Sequence, residues 1–145
     1  MSLYSAVEDE VNKWYDTYTE RFETLLAEQG PLAEIRAFCM ETQTPGVTAT
    51  TGDKHQGRSD IEDRIAYYTD LFASLWRDGY ASETVTDRTV DVLNPRAAIV
   101  QQTYTRYDGD GTVIHTVRWA YFLVKTDAGW RIDSFATRGS APLRT

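Results

Sequence analysis

Cysteine is nearly missing from this chain. Cys39 is the single one, so no internal disulfide can form, and such usage fits a reducing cytoplasm. Histidine is scarce too: only His55 and His115 are present, whereas a metal site of the zinc type needs at least three suitable protein ligands. Basic residues number 15 against 22 acidic ones, for a net charge of −7. A nucleic-acid or anionic-membrane partner would require a basic footprint, which this balance does not supply. No apolar run approaches the roughly 20 residues of a membrane span, and no leader-like pattern opens the chain. A phosphate-binding glycine loop, Cys-x-x-Cys, His-Glu-x-x-His and Gly-x-Ser-x-Gly are all lacking, which removes the common cofactor and hydrolase classes. The expectation is a soluble cytoplasmic protein with no metal, no cofactor, no nucleic-acid partner and no membrane association.

What the chain does have is enough apolar material for one core. At 145 residues, 41% hydrophobic and 12% aromatic, residues 1–145 suit a single domain burying roughly two-thirds of its unfolded surface. Tyr4, Val7, Val11, Trp14, Tyr18, Phe22 and Leu25 recur at three- and four-residue spacing, the mark of one helical stripe. Ser5 with Glu8 forms a capping-box pattern at its start, and Gly30-Pro31 ends it. Glu8, Asp9, Glu10, Asp16, Glu20 and Glu23 read as a hydrated face. Pro31 opens a short second helix with Leu32, Ile35, Phe38 and Cys39 facing inward. Thr44-Pro45-Gly46 breaks the chain, Val47–Thr51 reads as a strand, and Gly52-Asp53 turns it back through His55 toward Gly57. Ser59-Asp60-Ile61-Glu62 is a second capping box, ahead of a helix that turns Ile61, Ile65, Tyr68, Phe72, Leu75 and Trp76 to one side and stops at Gly79.

From Tyr80 onward the pattern is β. Strands are expected over Tyr80–Leu93, Ala97–Tyr107, Val113–Lys125 and Trp130–Arg138. Asn94-Pro95, Asp108-Gly109-Asp110-Gly111 and Asp127-Ala128-Gly129 are the turns between them, short enough to force antiparallel pairing. Helices come first and strands last, so the fold class is α+β, with the three helices of the N-terminal half lying on one face of a mainly antiparallel sheet.

This order resembles the nuclear transport factor 2-like superfamily, which includes ketosteroid isomerases, scytalone dehydratase and polyketide cyclases. Gly57-Arg58 before Ile61 and Asp127-Ala128-Gly129-Trp130-Arg131-Ile132 at the last hairpin carry the likeness. It implies a curved sheet wrapped over the helices into a cone with an apolar pocket, and a homodimer packed through the sheet's outer face. Trp14-Tyr15-Asp16-Thr17-Tyr18 is similar to the first-helix segment of scytalone dehydratase. There the tyrosine polarises the substrate, and the aspartate after it orients a histidine general base. Tyr18 is kept here, but Thr19 follows it, and the histidine position falls near Gln101 or Gln102; an amide has no useful pKa for base catalysis. The ketosteroid isomerase carboxylate would fall near Val47-Thr48, where no acid stands, with Glu41 and Asp53 the nearest.

Alternation places His115, Val117, Trp119, Tyr121 and Leu123 on one face of their strand and Ala98, Val100, Gln102 and Tyr104 on one face of the strand before it. The resemblance makes those faces concave. Trp14, Tyr18, Gln102, Tyr104, His115 and Trp119 are then the candidate ligand-binding residues, around a small, largely apolar or aromatic molecule that Gln102, Tyr18 and His115 orient. The competing reading is that these rings simply fill the core. Tyr18 and His115 are the candidate catalytic pair, although no carboxylate is expected beside His115. Asp53-Lys54-His55 could offer two metal ligands but lacks a third. Cys39 reads as a buried inert thiol, and Arg118 and Arg131 as surface or interface partners of Asp133 or Asp91.

Three functions remain open. The chain is an uncharacterised small-molecule-binding domain without an assignable reaction, a cofactor-independent lyase, isomerase or cyclase working through Tyr18 and His115, or a structural or interaction domain with a filled pocket.

Overall fold

Helix α1 runs over Leu3–Glu28 and buries Val7, Val11, Tyr15, Tyr18, Phe22, Leu25 and Leu26. The computed structural model describes residues 3–51, 54–56 and 60–138; the side chains of residues 3, 51 and 54–56 lie outside that description. The buried stripe keeps Val7, Val11, Tyr18, Phe22 and Leu25 of the expected one and departs from it at Tyr4 and Trp14. Tyr15 is fully buried, Trp14 is only half-buried and Tyr4 is exposed. Both Trp14 and Tyr15 satisfy a 3.6-residue period from Val11; Tyr15 takes the inner place because its hydroxyl finds the Tyr104 hydroxyl at 2.6 Å. Ser5 and Glu8 lie inside the first turns of α1, not at its start, since the helix is already running at Leu3. The helix ends ahead of Gly30-Pro31 as expected, with Gln29 turned into the left-handed region.

Helix α2, Leu32–Thr42, starts with Pro31 as its cap residue and turns Ile35, Phe38, Cys39 and Thr42 inward. Leu32, expected inside, is exposed, and the inward stripe of α2 begins at Ile35. The chain then passes straight into strand β1, Gln43–Thr51. The expected break at Thr44-Pro45-Gly46 is instead an irregular stretch of strand. Gly46 has φ 97°, a left-handed value that glycine adopts without a Cβ penalty, and Pro45 is tolerated where ladder bonding is interrupted. Strand β2, Lys54–Gln56, returns antiparallel to β1. The Gly52-Asp53 turn, Gly57-Arg58 and Ser59 lie outside the described residues.

Helix α3 covers Ile61–Arg77. Its capping box is Asp60 with Asp63, one residue later than expected: Asp63 N donates to Asp60 Oδ1 at 2.9 Å and Asp60 N to Asp63 Oδ2 at 3.3 Å. A carboxylate at each position caps as well as the Ser/Glu pair does. Gly79, with φ 86°, ends the helix and releases the chain into strands β3 (Tyr80–Asn94), β4 (Ala97–Asp108), β5 (Val113–Thr126) and β6 (Gly129–Arg138).

The six strands form one sheet in the order β2-β1-β6-β5-β4-β3. Only β1 with β6 is parallel. The concave face carries Ala98, Val100, Gln102, Tyr104 and Arg106 of β4 beside Val117, Trp119, Tyr121 and Leu123 of β5, all buried beneath the helices. The sheet curves because its ladders slip repeatedly. β3 shifts register against β4 between Tyr80 and Ser82, Thr86 and Thr89, and Val92 and Asn94, and each bulge adds a bend and local twist. Side chains tie the layers together: Trp76 Nε1 donates to Leu26 O at 2.9 Å, and Trp130 Nε1 to Glu10 Oε1 at 2.9 Å. Arg118 does not pair with Asp91 or Asp133. It donates to Asp87 O and Thr103 Oγ1, both at 2.9 Å, because the β3 bulge brings an uncharged acceptor closer than either acid.

Candidate functional site

The inside of the cone is built from tyrosines. On α1, Tyr15 and Tyr18 point into it; Tyr68 comes from α3, Tyr104 from β4 and Tyr121 from β5, each at most 3% exposed. Tyr15 and Tyr104 share a hydroxyl contact, and the Tyr18 hydroxyl meets those of Tyr121 at 3.4 Å and Tyr68 at 3.5 Å. Gln43 Nε2 adds a donor to Tyr68 at 2.8 Å. Burial holds the phenols of Tyr15, Tyr18, Tyr68 and Tyr121 well above their ordinary pKa of 10, since a phenolate has no water to solvate it. The rings pack at centroid distances such as 5.6 Å between Tyr18 and Tyr121 and 5.2 Å between Tyr18 and Phe38. Rings so close and so little exposed make one packed cluster around Tyr18.

A charged group sits at one flank. Arg106 and Glu83 form an ion pair at 3.1 Å, with both side chains only 1% exposed. Tyr80 donates to the same Glu83 oxygen at 3.3 Å, and Glu83 Oε2 has no hydrogen-bond partner. The Arg106 guanidinium lies 5.2 Å from the ring centroids of Phe22 and Tyr104. His115 stands directly across the strand pair from Arg106, its Nε2 at 3.0 Å from Arg106 Nη1. A guanidinium only donates, so Nε2 accepts and the ring proton sits on Nδ1. That leaves His115 Nε2 engaged, with Arg106 interposed between the ring and Glu83.

Arg88 closes another flank. Its Nε donates to Gln102 Oε1 at 2.5 Å, and its Nη1 reaches Asn12 Oδ1 at 3.2 Å and Asp16 Oδ1 at 2.7 Å. The guanidinium lies 4.9 Å over the Tyr15 ring. One side chain thus joins β3, β4 and α1.

The six expected ligand residues are therefore distributed as follows. Gln102, Tyr104, Trp119 and Tyr18 are buried on the concave side, while Trp14 and His115 are half-buried. Trp14 stacks on Tyr18 at 5.6 Å. Tyr18 belongs to the hydroxyl cluster and His115 to the charged group. Gln102 and Trp119 pair directly across β4 and β5, and Gln102 Nε2 and Trp119 Nε1 are both buried donors without an acceptor. Arg106 continues the alternation of Ala98, Val100, Gln102 and Tyr104, so its inward position was available from the spacing. Glu83 and Arg88 carried no such signal, because bulges in β3 reset the parity on which alternation depends.

Outside the cone, a depression of about 350 Å³ opens between α1 and α2, lined by Glu20, Arg21, Thr24, Leu25, Glu34 and Ala37. Among the described residues, no group of three or more His, Cys, Asp and Glu side chains could hold a metal ion. Likewise no helix there is long and apolar enough to cross a membrane. The His55 side chain and Asp53 lie outside the described residues. Cys39 is buried, and burial pushes its thiol up to about 11.

Comparison with solved structures returns the same architecture at low identity. An NTF-2 like protein of unknown function from Shewanella oneidensis MR-1 is 14% identical, with a TM-score of 0.64 over 90% of this chain and 97% of that one. A domain of unknown function with a cystatin-like fold from Nostoc punctiforme is 12% identical, with a TM-score of 0.67 over 92% and 78%. Aln2 from a Streptomyces species is 16% identical, with a TM-score of 0.65 over 92% and 90%. These similarities concern the fold. No curated protein matches the sequence. The family described as "NTF2-like protein (DUF6841)" matches residues 9–140, and with nearly the whole chain inside that match, the protein belongs to this NTF2-like family.

Proposed function

We propose that this chain is a small-molecule-binding domain with no reaction of its own, whose ligand is flat, largely apolar and carries one acceptor oxygen. The observation behind this reading is the pair of orphaned donors, Gln102 Nε2 and Trp119 Nε1, on directly opposed residues of the concave face. A buried donor left unsatisfied costs about 1–3 kcal/mol, so one carbonyl or ether oxygen accepting from both would relieve two such costs at once. The surroundings favour an aromatic guest. Trp119 stacks on Tyr121 at 5.9 Å and lies 5.4 Å from Phe135. Entry requires rings to move, and half-buried Trp14 is the ring of this set best placed to do so. A catalytic role for Tyr18 and His115 has less support, because the phenol is held protonated and the imidazole Nε2 is occupied by Arg106. The proposed partner on the sheet's outer face is a second copy of the chain, packed over the opposed pair Ile99 and Phe122 and the adjacent Ala120 and Val124.

The test is a thermal-shift and tryptophan-fluorescence titration with flat aromatic ketones and quinones. Saturable stabilisation is expected, weakened about tenfold or more in Gln102→Leu and in Trp119→Phe. Absence of any saturable response in the wild-type protein, or one untouched by both substitutions, refutes the reading and leaves the interior as a filled structural core.

A further inference from the structure

The most anomalous charge in the molecule lies away from the concave donors. Arg64 is on the inward stripe of α3 and 6% exposed. Its Nε and Nη1 are both buried without a hydrogen-bond partner. Arg106, the other buried arginine among the described residues, is matched by Glu83. The acids nearest Arg64 in sequence are committed elsewhere. Glu62 pairs with Arg36 at 2.8 Å, while Asp60 and Asp63 cap the helix and are exposed. A guanidinium does not shed its charge inside a protein, and a buried charge without a counter-ion is among the most destabilising features a fold can carry. Its place near the start of α3 adds to the positive potential of the helix N-terminus.

We propose that Arg64 anchors a binding site for a carboxylate-bearing small molecule at the seam between α2 and α3. Arg36 of α2 reaches across that seam to Glu62 of α3, two residues before Arg64, which brings a second guanidinium to the same end of the seam. Arg36 is partly solvent-exposed and marks the approach. A planar fork of N–H donors matches a carboxylate. A singly charged anion fits better than phosphate, because Asp60, Glu62 and Asp63 line the neighbouring turn and would repel a dianion. The site stands independently of the oxygen acceptor proposed for Gln102 and Trp119.

The experiment compares wild type, Arg64→Met and Arg64→Lys in melts at constant ionic strength with sodium butyrate, sodium benzoate, sodium phosphate or sodium chloride. Wild type is expected to gain a saturable shift of about 3 °C with the carboxylates and not with chloride or phosphate. Arg64→Met is expected to melt no lower than wild type without ligand and to lose the response. Arg64→Lys keeps the charge without the fork and is expected to bind about tenfold more weakly. Wild-type NMR gives a readout that needs no variant: the Arg64 Nε–H resonance moves on addition of butyrate. A carboxylate response that persists in Arg64→Met, a wild-type response equal in chloride, or an unmoved Nε–H resonance overturns the proposal. Gln102→Leu leaves the butyrate response intact, so failure here is separable from failure of the concave-face reading.

Discussion

Raising the pH past about 10, where a free tyrosine ionises, perturbs the buried hydroxyl cluster without changing a single residue. Four phenols, those of Tyr15, Tyr18, Tyr68 and Tyr121, are held well above 10 by burial. In the unfolded chain they ionise normally. A group whose folded pKa is raised contributes stability that is complete below the unfolded pKa and is lost as pH climbs toward the folded one. The loss is about 1.4 kcal/mol per tyrosine at pH 11, or about 5–6 kcal/mol for the four. A domain of this size has only about 5–15 kcal/mol in total. Unfolding in a narrow window near pH 11 is therefore expected, with tyrosinate absorbance and near-ultraviolet circular dichroism changing together. Tyr18→Phe, which removes one ionising group, makes the fall of stability with pH shallower. If the buried tyrosines ionise near pH 10 while the dichroism stays native, the cluster is solvent-accessible and the account of its burial is wrong.

Glu83→Gln removes the counter-charge of Arg106 where both side chains are 1% exposed, and is expected to cost about 3–5 kcal/mol, read as a fall in Tm of about 10–20 °C. A double variant with Arg106→Met recovers part of this, and a loss below 1 kcal/mol from the single change (about 1 being the ordinary mutational effect) refutes the burial of the pair. Cys39, buried with its thiol pushed up to about 11, is expected to react with a thiol reagent at neutral pH only at the rate of unfolding; labelling as fast as a free thiol contradicts that. Phe122→Glu is expected to convert a dimer to monomers in sedimentation velocity, since a charge there faces its own copy across the proposed contact; an unchanged mass rules that surface out.

The architecture was legible where turns and periodicity were strong. Asn94-Pro95, the Asp108–Gly111 turn and Asp127-Ala128-Gly129 separate four strands whose bounds lie within a residue or so of the expected ones. Alternation also put Ala98, Val100, Gln102 and Tyr104 on one face, which the resemblance made the inner one and which is buried. Legibility failed where the period slipped. Pro45 and Gly46 read as a break because a sequence does not announce that a neighbouring strand will absorb an irregular stretch. Asp87, at φ 56°, marks the β3 bulge that precedes inward-facing Arg88, and nothing local in the sequence signals it. Tyr15 and Trp14 were interchangeable by spacing, and only the partner hydroxyl of Tyr104 decides between them. The stripe of Ile61, Ile65, Tyr68, Phe72, Leu75 and Trp76 carries no signal for Arg64, which is buried beside it.

The slips in β3 have a consequence for the behaviour of the molecule among its own copies. At 15 residues β3 is a long strand, and among the described residues it lies at the margin of the sheet with one side of its backbone unpaired by any strand. A straight margin of that length is a template for strand addition and for aggregation. Three interruptions of register divide it into short segments, and the Asp87 kink and the exposed Asp91 set charge and curvature where a neighbouring strand would have to align. The opposite margin is β2, only three residues long. The irregularities that carry Glu83 and Arg88 inward thus also keep the sheet finite, limiting its growth to six strands.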